Sequence, residues 1–486
     1  MRIGRICCGA LALAGAATLA CTLLGTLSPV PALPPAAPLA IPPDLRASEL
    51  RFQGGEGQAL RGTVLESPAS GAGRPGIVMV HGSGPGTLGS RYGEEAVAFA
   101  RQGLAVLLYD KRPAPYAEPQ RAYELLADDA LGAVRALRAH PGVDPARVGI
   151  WGLSEGGWVA PLAAVRSDDV AFVIVVGANA MPPLQQQTWA ATTALRRAGV
   201  SGSLVERAEP ALYRLLADAG LFPEAYHDAA AVLRQLRQPL LALWGSDDLL
   251  TPPGENPPLF ARALQQGGNQ HYTLRFFEKA GHAAHQSPDG GKTQLPLLAS
   301  GYAELVGSWV RDVTGGRPPS AEAPVPPRQD WPSVPVPDSA RPQQALLQLA
   351  ALALLVASFA YYPLVALLRW MRGRPGVAPA GVPARLLCSA GTASVVGLLV
   401  YLFSLIGSRP ATIELELGPA LGGRTVPWLL LQALALLTAG ASFATALAWR
   451  RAGGAVPPGE RVRLGVLLCG GGVFVPWAIH WGLLLP

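Results

Sequence analysis

Two glycines flank a serine at a spacing suited to nucleophilic chemistry. The chain reads Gly152-Leu153-Ser154-Glu155-Gly156-Gly157 between an apolar run at 148–151 and a helix-like stretch at 158–165. Glycine two residues before and two after the serine allows a strained turn to lift its hydroxyl clear at a strand end, beside a helix N-terminus that favours developing negative charge. Alone the pattern is a weak signal in a chain with 56 Gly, where roughly 0.3 copies are expected by chance, and its placement between a buried strand and a helix is what gives it weight. A nucleophilic serine needs a base, and the base needs an orienting carboxylate. Further along, Asp247 and Asp248 follow the apolar run 240–244, and His282 follows the run 272–277, with His285 three residues on. A lone aspartate there reads as a turn cap and a lone histidine as a loop residue, but the order Ser, Asp, His reads as a triad. Asp247 and His285 compete with Asp248 and His282 for the acid and base positions.

The tetrahedral intermediate of acyl transfer requires two aimed backbone N–H groups. One is expected from Glu155, the residue after the serine, and the other from the loop His81-Gly82-Ser83-Gly84-Pro85-Gly86, where the Ser83 N–H is the candidate. That loop has neither a Lys-Ser/Thr ending nor G-x-G-x-x-G spacing, which argues against a phosphate cradle. His81 is expected to fix the loop rather than act as a second base. Asp110, Lys111 and Arg112 follow another apolar run and predict a structural ion-pair corner near the site, while Asp128 and Asp129 read as a solvated helix face.

Positioning these groups requires a sheet. Short, nearly all-apolar runs at 77–80, 104–109, 148–151, 171–176, 240–244 and 272–277 predict strands buried on both faces, hence a parallel sheet covered by helices. Helical patterns at 92–101, 123–139 and 295–313 lie between or after them, and a more polar helical stretch at 184–235 interrupts the repeat. The fold class is therefore α/β: a doubly wound sheet over 44–314 with a helical insertion.

With 486 residues, 50% of them hydrophobic and 15% charged, the chain is too long for one ordinary domain and too apolar for a disordered protein. Its net charge of +6 comes with arginines grouped beside apolar runs, a membrane pattern and not a nucleic-acid footprint. Lysine occurs at 111, 279 and 292 alone. All 5 Cys lie in hydrophobic runs and none between 22 and 387, so the middle of the chain offers no disulfide framework, zinc site or cysteine nucleophile.

Residues 1–28 carry Arg2, Arg5 and then an uncharged run, expected to be a signal peptide or signal anchor, followed by a linker at 29–43 with seven prolines. Val30-Pro31-Ala32 offers a peptidase site; Thr18-Leu19-Ala20-Cys21 is a weaker candidate for lipidation of Cys21. A second linker at 315–342 holds nine prolines and is expected to be a spacer reaching about 85 Å as polyproline II at ~3.1 Å per residue. The remainder, 343–486, contains four uncharged stretches at 345–368, 386–408, 425–449 and 464–486. About 23 residues of helix reach ~35 Å, enough to cross a ~30 Å hydrocarbon core. Arginines cluster between the first and second and between the third and fourth, so those loops and the N-terminal end are expected in the cytoplasm and the α/β domain outside. His480 is read as a polar residue reaching the interface from the last span, and Tyr361, Tyr362, Trp370, Trp428 and Trp449 as interfacial anchors.

Together, His81-Gly82-Ser83-Gly84-Pro85, Tyr109-Asp110-Lys111-Arg112, the Ser154 motif and Gly245-Ser246-Asp247-Asp248-Leu249-Leu250-Thr251-Pro252 resemble the α/β-hydrolase superfamily. The likeness is to bacterial serine esterases and acyl hydrolases related to the dienelactone-hydrolase and serine-aminopeptidase groups, and it covers 50–314. The resemblance implies Ser154 as nucleophile, His282 as base, Asp248 as acid through its Gly-x-x-Asp-x-x-x-Pro pattern, and the insertion at about 180–236 as a cap. After Arg112 relatives continue with glycines and a serine, where this chain has Pro113-Ala114-Pro115-Tyr116, so the resemblance does not extend to the pocket rim. The expectation is a multi-pass serine hydrolase of a bacterial inner membrane, with an extracytoplasmic domain and four transmembrane helices. It would cleave carboxyl esters of a small or lipid-like acyl substrate through an acyl-enzyme, without metal, organic cofactor or nucleic-acid partner. A peptidase or acyltransferase on the same triad, or a non-catalytic membrane-coupled binding or sensing domain, are the alternatives.

Overall fold

The structure, a computed structural model, describes residues 41–485 apart from 70, 85–91, 113–121, 223, 337–342, 374–379 and 408–418. The N-terminal run, Cys21, most of the first linker and Pro113-Ala114-Pro115-Tyr116 lie outside the described residues.

Eight strands form one sheet: β1 Arg46–Gln53, β2 Ala59–Glu66, β3 Arg74–Val80, β4 Ala105–Tyr109, β5 Val143–Leu153, β6 Val173–Val176, β7 Leu240–Gly245 and β8 Tyr272–Phe277. Their order is β1-β2-β4-β3-β5-β6-β7-β8. From β4 to β8 every pairing is parallel, while β1 and β2 join antiparallel at one edge. The six apolar runs are the six parallel strands, and β3 and β4 are buried almost throughout, as strands covered on both faces must be. β1, with the sequence RASELRFQ, is mostly exposed, and its polar face left no apolar run in the sequence. The helix expected from 295 begins later, at Tyr302–Thr314, after Gly301 turns left-handed at φ 80°. Residues 295–299 instead pair with the loop carrying His282, through Leu295 N–H to the Gln286 carbonyl and Ala299 N–H to the Ala284 carbonyl.

Asp129 corrects the expectation of a solvated face. It is 1% exposed on helix Tyr123–Arg138 and meets Arg112, whose Nε donates to Oδ2 at 2.7 Å. The same pair closes on Gly55, whose N–H donates to Asp129 Oδ1 at 2.9 Å and whose carbonyl accepts from Arg112 Nη2 at 2.9 Å. Asp128 keeps a partly exposed bond to Arg166 at 2.8 Å.

The second proline-rich segment is not a free spacer over its described part. Glu322 adds a bridge to the outer edge of β8, with Leu274 N–H donating to its carbonyl and its own N–H to the Tyr272 carbonyl. Gln329 then accepts from Gly254 N–H at 3.0 Å, Trp331 accepts from the Trp189 indole at 2.8 Å, and Ser333 Oγ accepts from Gln185 at 2.7 Å. Proline suits such a strap because an edge strand asks for few donors.

By compactness the chain divides into two units. Among the described residues, one contains 41–193 and 220–336 and the other 194–219 and 343–485. The expected cap is thus split: 194–219 folds with the C-terminal helices. Four of those helices, Ala345–Met371, Gly381–Ile406, Val426–Ala455 and Pro458–His480, are long and apolar enough to cross a membrane. Leu195, Val200, Leu204, Val205 and Leu212 share their apolar core, and Ser203 Oγ accepts from the Trp428 indole at 3.3 Å. Trp428 is therefore fully buried instead of anchoring at an interface, and Tyr362 lies under the Arg463 guanidinium, 3.7 Å from its ring centre. His480 is the last residue of its helix and is exposed.

Removing one partner from a buried ion pair leaves the other charge uncompensated. Arg112→Met should lower the stability of the sheet domain by about 3–5 kcal/mol, and the double variant Arg112→Met/Asp129→Leu should recover most of it; thermal unfolding of the detergent-solubilised chain reads the difference.

Candidate active site

Ser154 occupies the turn between β5 and helix Gly156–Val165 with a φ of 54°, in the left-handed region that a non-glycine residue enters at a cost. Its N–H donates to the Val176 carbonyl at 2.9 Å and its carbonyl accepts from Gly157 N–H at 2.8 Å. A methyl group on Gly156 would run into the Val80 carbonyl, and one on Gly152 into the Gly156 carbonyl. The glycine spacing is thus demanded by backbone packed on backbone where β3, β5 and the helix meet.

Asp248 follows β7, and its side chain is fully buried. Oδ1 accepts from the N–H groups of Leu250 at 2.8 Å and Thr251 at 2.9 Å, and Oδ2 lies 2.8 Å from His282 Nδ1. Facing a carboxylate, Nδ1 carries the proton and leaves Nε2 as the acceptor. The imidazole rests against Gly177, where a Cβ would stand 2.8 Å from the ring. Gly177 directly follows Val176, whose carbonyl holds Ser154, so His282 and Ser154 come to neighbouring strand ends.

The competing candidates sit otherwise. Asp247 Oδ1 accepts from the Ser246 hydroxyl at 3.1 Å. His285 has both ring nitrogens engaged, Nε2 with Glu95 Oε1 at 2.9 Å and Nδ1 with the Leu295 carbonyl at 2.9 Å. Both partners accept, so the arrangement favours the imidazolium. Burial works against that charge, but the hydrogen bond and charge of Glu95 and the Leu295 carbonyl outweigh it, and the pKa of His285 is raised.

The loop after β3 stands beside the serine, since a Cβ on Gly82 would lie 3.3 Å from Ser154 Cβ. His81 Nδ1 donates to the Gly82 carbonyl at 2.9 Å, and Gly82 N–H donates to the Tyr92 hydroxyl at 3.3 Å. Of the expected ion-pair corner, Asp110 meets Arg61 at 3.0 Å on the surface, whereas Lys111 turns inward. Its Nζ donates to the Gly82 carbonyl at 2.9 Å and to Glu155 Oε1 at 2.5 Å. The side chains of Lys111 and Glu155, and the support given by Tyr92 and Glu95, were not legible in the sequence; the rarity of lysine was the one available signal. In the first turn of the serine helix, Trp158 stacks on Tyr123 with centroids 5.7 Å apart, and His227 meets Tyr123 edge-on. Burial holds the pKa of His227 below its ordinary value.

Residues 124–299 match the model of the prolyl oligopeptidase family. Among curated proteins, a thiohydrolase of Aspergillus aculeatus is 33% identical over 138 residues, covering 26% of this chain and 41% of that protein. A polyketide transferase of Penicillium crustosum is 32% identical over 133 residues, covering 26% of this chain and 43% of that one. The chain thus spans about two fifths of the length of these relatives. Among solved structures, a puromycin-hydrolyzing peptidase of Mycobacterium tuberculosis is 20% identical, with a TM-score of 0.40 over 58% of this chain and 41% of that one.

A histidine whose folded pKa is raised adds stability that is fully present below its unfolded value, about 6.5, and is lost as pH rises through the folded value. The gap in thermal midpoint between wild type and His285→Gln should therefore be widest near pH 6 and narrow towards alkaline pH; a gap independent of pH from 5.5 to 9 would contradict the charged pair.

Proposed function

From a domain of the α/β-hydrolase superfamily in a chain with four helices able to span a membrane, we propose a membrane-anchored serine hydrolase that cleaves carboxyl esters through an acyl-enzyme. The observation that carries the reading is the 2.8 Å bond from His282 to the fully buried Asp248 carboxylate, beside a serine held left-handed at a strand end. In this reading His282 Nε2 takes the Ser154 proton as the hydroxyl attacks the acyl carbonyl. Asp248 orients the ring and stabilises the imidazolium, and the N–H groups of Ser83 and Glu155 hold the oxyanion. The imidazolium then protonates the leaving alcohol. Water, deprotonated by the same histidine, attacks the acyl-enzyme and releases the acid. The cycle uses water alone and calls for no metal or organic cofactor.

Arginines at the ends of the spans support a bacterial inner-membrane location with the hydrolase domain outside and the two arginine-rich loops inside. The substrate would be a small or lipid-like acyl compound, and the domain scheme is that given from the sequence, amended by the split cap. A second reading, favoured by relatives named thiohydrolase and polyketide transferase, is attack on a thioester, which the same groups perform with a thiol leaving.

Full-length protein in membranes, treated with a fluorophosphonate probe, tests the assignment. Labelling should vanish in Ser154→Ala and slow by roughly 10³-fold or more in His282→Ala and Asp248→Asn, while Asp247→Asn stays within about threefold of wild type. A folded wild type that takes no probe would sink the nucleophile. Release of alcohol, thiol or amine from matched p-nitrophenyl ester, acyl thioester and peptide anilide substrates then ranks the bond types.

A further inference from the structure

Of the three lysines in the chain, one is buried against both segments that the proposed mechanism uses for the oxyanion. The side chains of Lys111 and Glu155 are each 4% exposed. A lysine taken out of water needs acceptors for its three protons. Two of them are the Gly82 carbonyl at 2.9 Å and the Glu155 carboxylate at 2.5 Å.

The first of these has a consequence for the neighbouring residue. The Gly82 carbonyl and the Ser83 N–H belong to one peptide unit, the described chain contains no cis bond, and in a trans peptide the two groups point in opposite directions. Fixing the oxygen therefore fixes the N–H. Lys111 on one approach and His81 Nδ1 on another hold that oxygen, so the peptide cannot rotate to turn its donor away without breaking two bonds, one of them charge-assisted. A cation on the carbonyl also polarises the amide and makes its N–H a better donor. The Glu155 carboxylate also holds the ammonium, at the residue whose own N–H is the second proposed oxyanion donor.

We infer that Lys111 is a positioning residue for the oxyanion hole: its ammonium locks and polarises the Gly82–Ser83 peptide so that the Ser83 N–H faces the reacting oxygen. This rests on the serine-hydrolase reading above. A purely structural ion pair would be replaceable by two apolar side chains with little loss, whereas a positioning cation would not.

The test uses the full-length chain, p-nitrophenyl ester hydrolysis, fluorophosphonate labelling, a trifluoromethyl-ketone analogue of the tetrahedral intermediate, and thermal unfolding. Lys111→Met should lose both stability and turnover. The double variant Lys111→Met/Glu155→Leu should regain the thermal midpoint yet keep a kcat loss of about 10²–10³-fold with KM within about threefold, and bind the ketone more weakly by a similar factor. Wild-type turnover in the folded double variant overturns the inference while the hydrolase reading stands. A folded wild type with neither labelling nor turnover overturns both. Should the double variant fail to fold, the conservative Lys111→Arg, which keeps a cation for the Gly82 carbonyl, is set against Lys111→Met. Turnover within about tenfold of wild type in the former and a loss above about 100-fold in the latter supports positioning. Equal losses in the two overturn it.

Discussion

The backbone of Ser154 is the constraint around which the α/β domain is arranged. A left-handed serine costs on the order of 1–3 kcal/mol and persists where its surroundings over-determine it. Here β6 accepts its N–H, the first turn of the following helix donates to its carbonyl, and the glycines on either side admit backbone where side chains would collide. Several neighbouring features follow from that one turn. β3 must pass close enough for the Val80 carbonyl to lie against Gly156, which brings the loop after β3 beside the serine. β6 must end at Val176, so that Gly177 is free of side chain where the His282 ring rests. The helix must start directly after Glu155, whose carboxylate meets Lys111.

The α/β domain holds its polar side chains in pairs: Asp248 with His282, Lys111 with Glu155, Arg112 with Asp129 and Glu95 with His285. Such pairs are a weak route to stability, because desolvation offsets most of the attraction. Their value lies in direction. Each also bonds a backbone group that has to stay in one orientation: Asp248 holds the N–H groups of Leu250 and Thr251, Lys111 the Gly82 carbonyl, Arg112 the Gly55 carbonyl and His285 the Leu295 carbonyl. Loops after strands have few backbone partners of their own. Buried ionic groups supply the missing ones, and the loops that carry the proposed oxyanion donor and the proposed base are both held this way.

What the sequence revealed follows from which forces leave a one-dimensional trace. Strands buried on both faces must be continuously apolar, so the six parallel strands were visible, while β1, exposed along most of its length, was not. The glycine spacing at Ser154 was visible because both glycines stand two residues from the serine, although the backbone they clear is near in the chain for Gly152 and distant, on β3, for Gly156. Partners across the fold leave no such mark. Asp129 looks like any helix-surface carboxylate until Arg112, 17 residues earlier, is brought under it, and Glu155 looks like a helix-cap acid until Lys111 arrives from β4. The strap at 315–336 was misread for the same reason: proline content forbids regular structure of its own making, but a single bridge at Glu322 and side-chain bonds at Gln329 and Ser333 come from the surface it lies on.

The split of the insertion bears on what the C-terminal helices are. A simple anchor joins its cargo at one point and can be cut away there. In this chain the polypeptide leaves the α/β unit after 193, contributes 194–219 to the core of the helical unit, returns at 220, and leaves again after 338. Leu204 and Val205, from that excursion, are as fully buried as Leu467 and Phe474 of the last apolar helix. A cut at 338 would therefore strip the cover from an apolar face of the insertion, where burial is worth roughly 25 cal/mol per Å². The helices complete the hydrophobic core of a segment that the chain inserts between two stretches of the α/β unit.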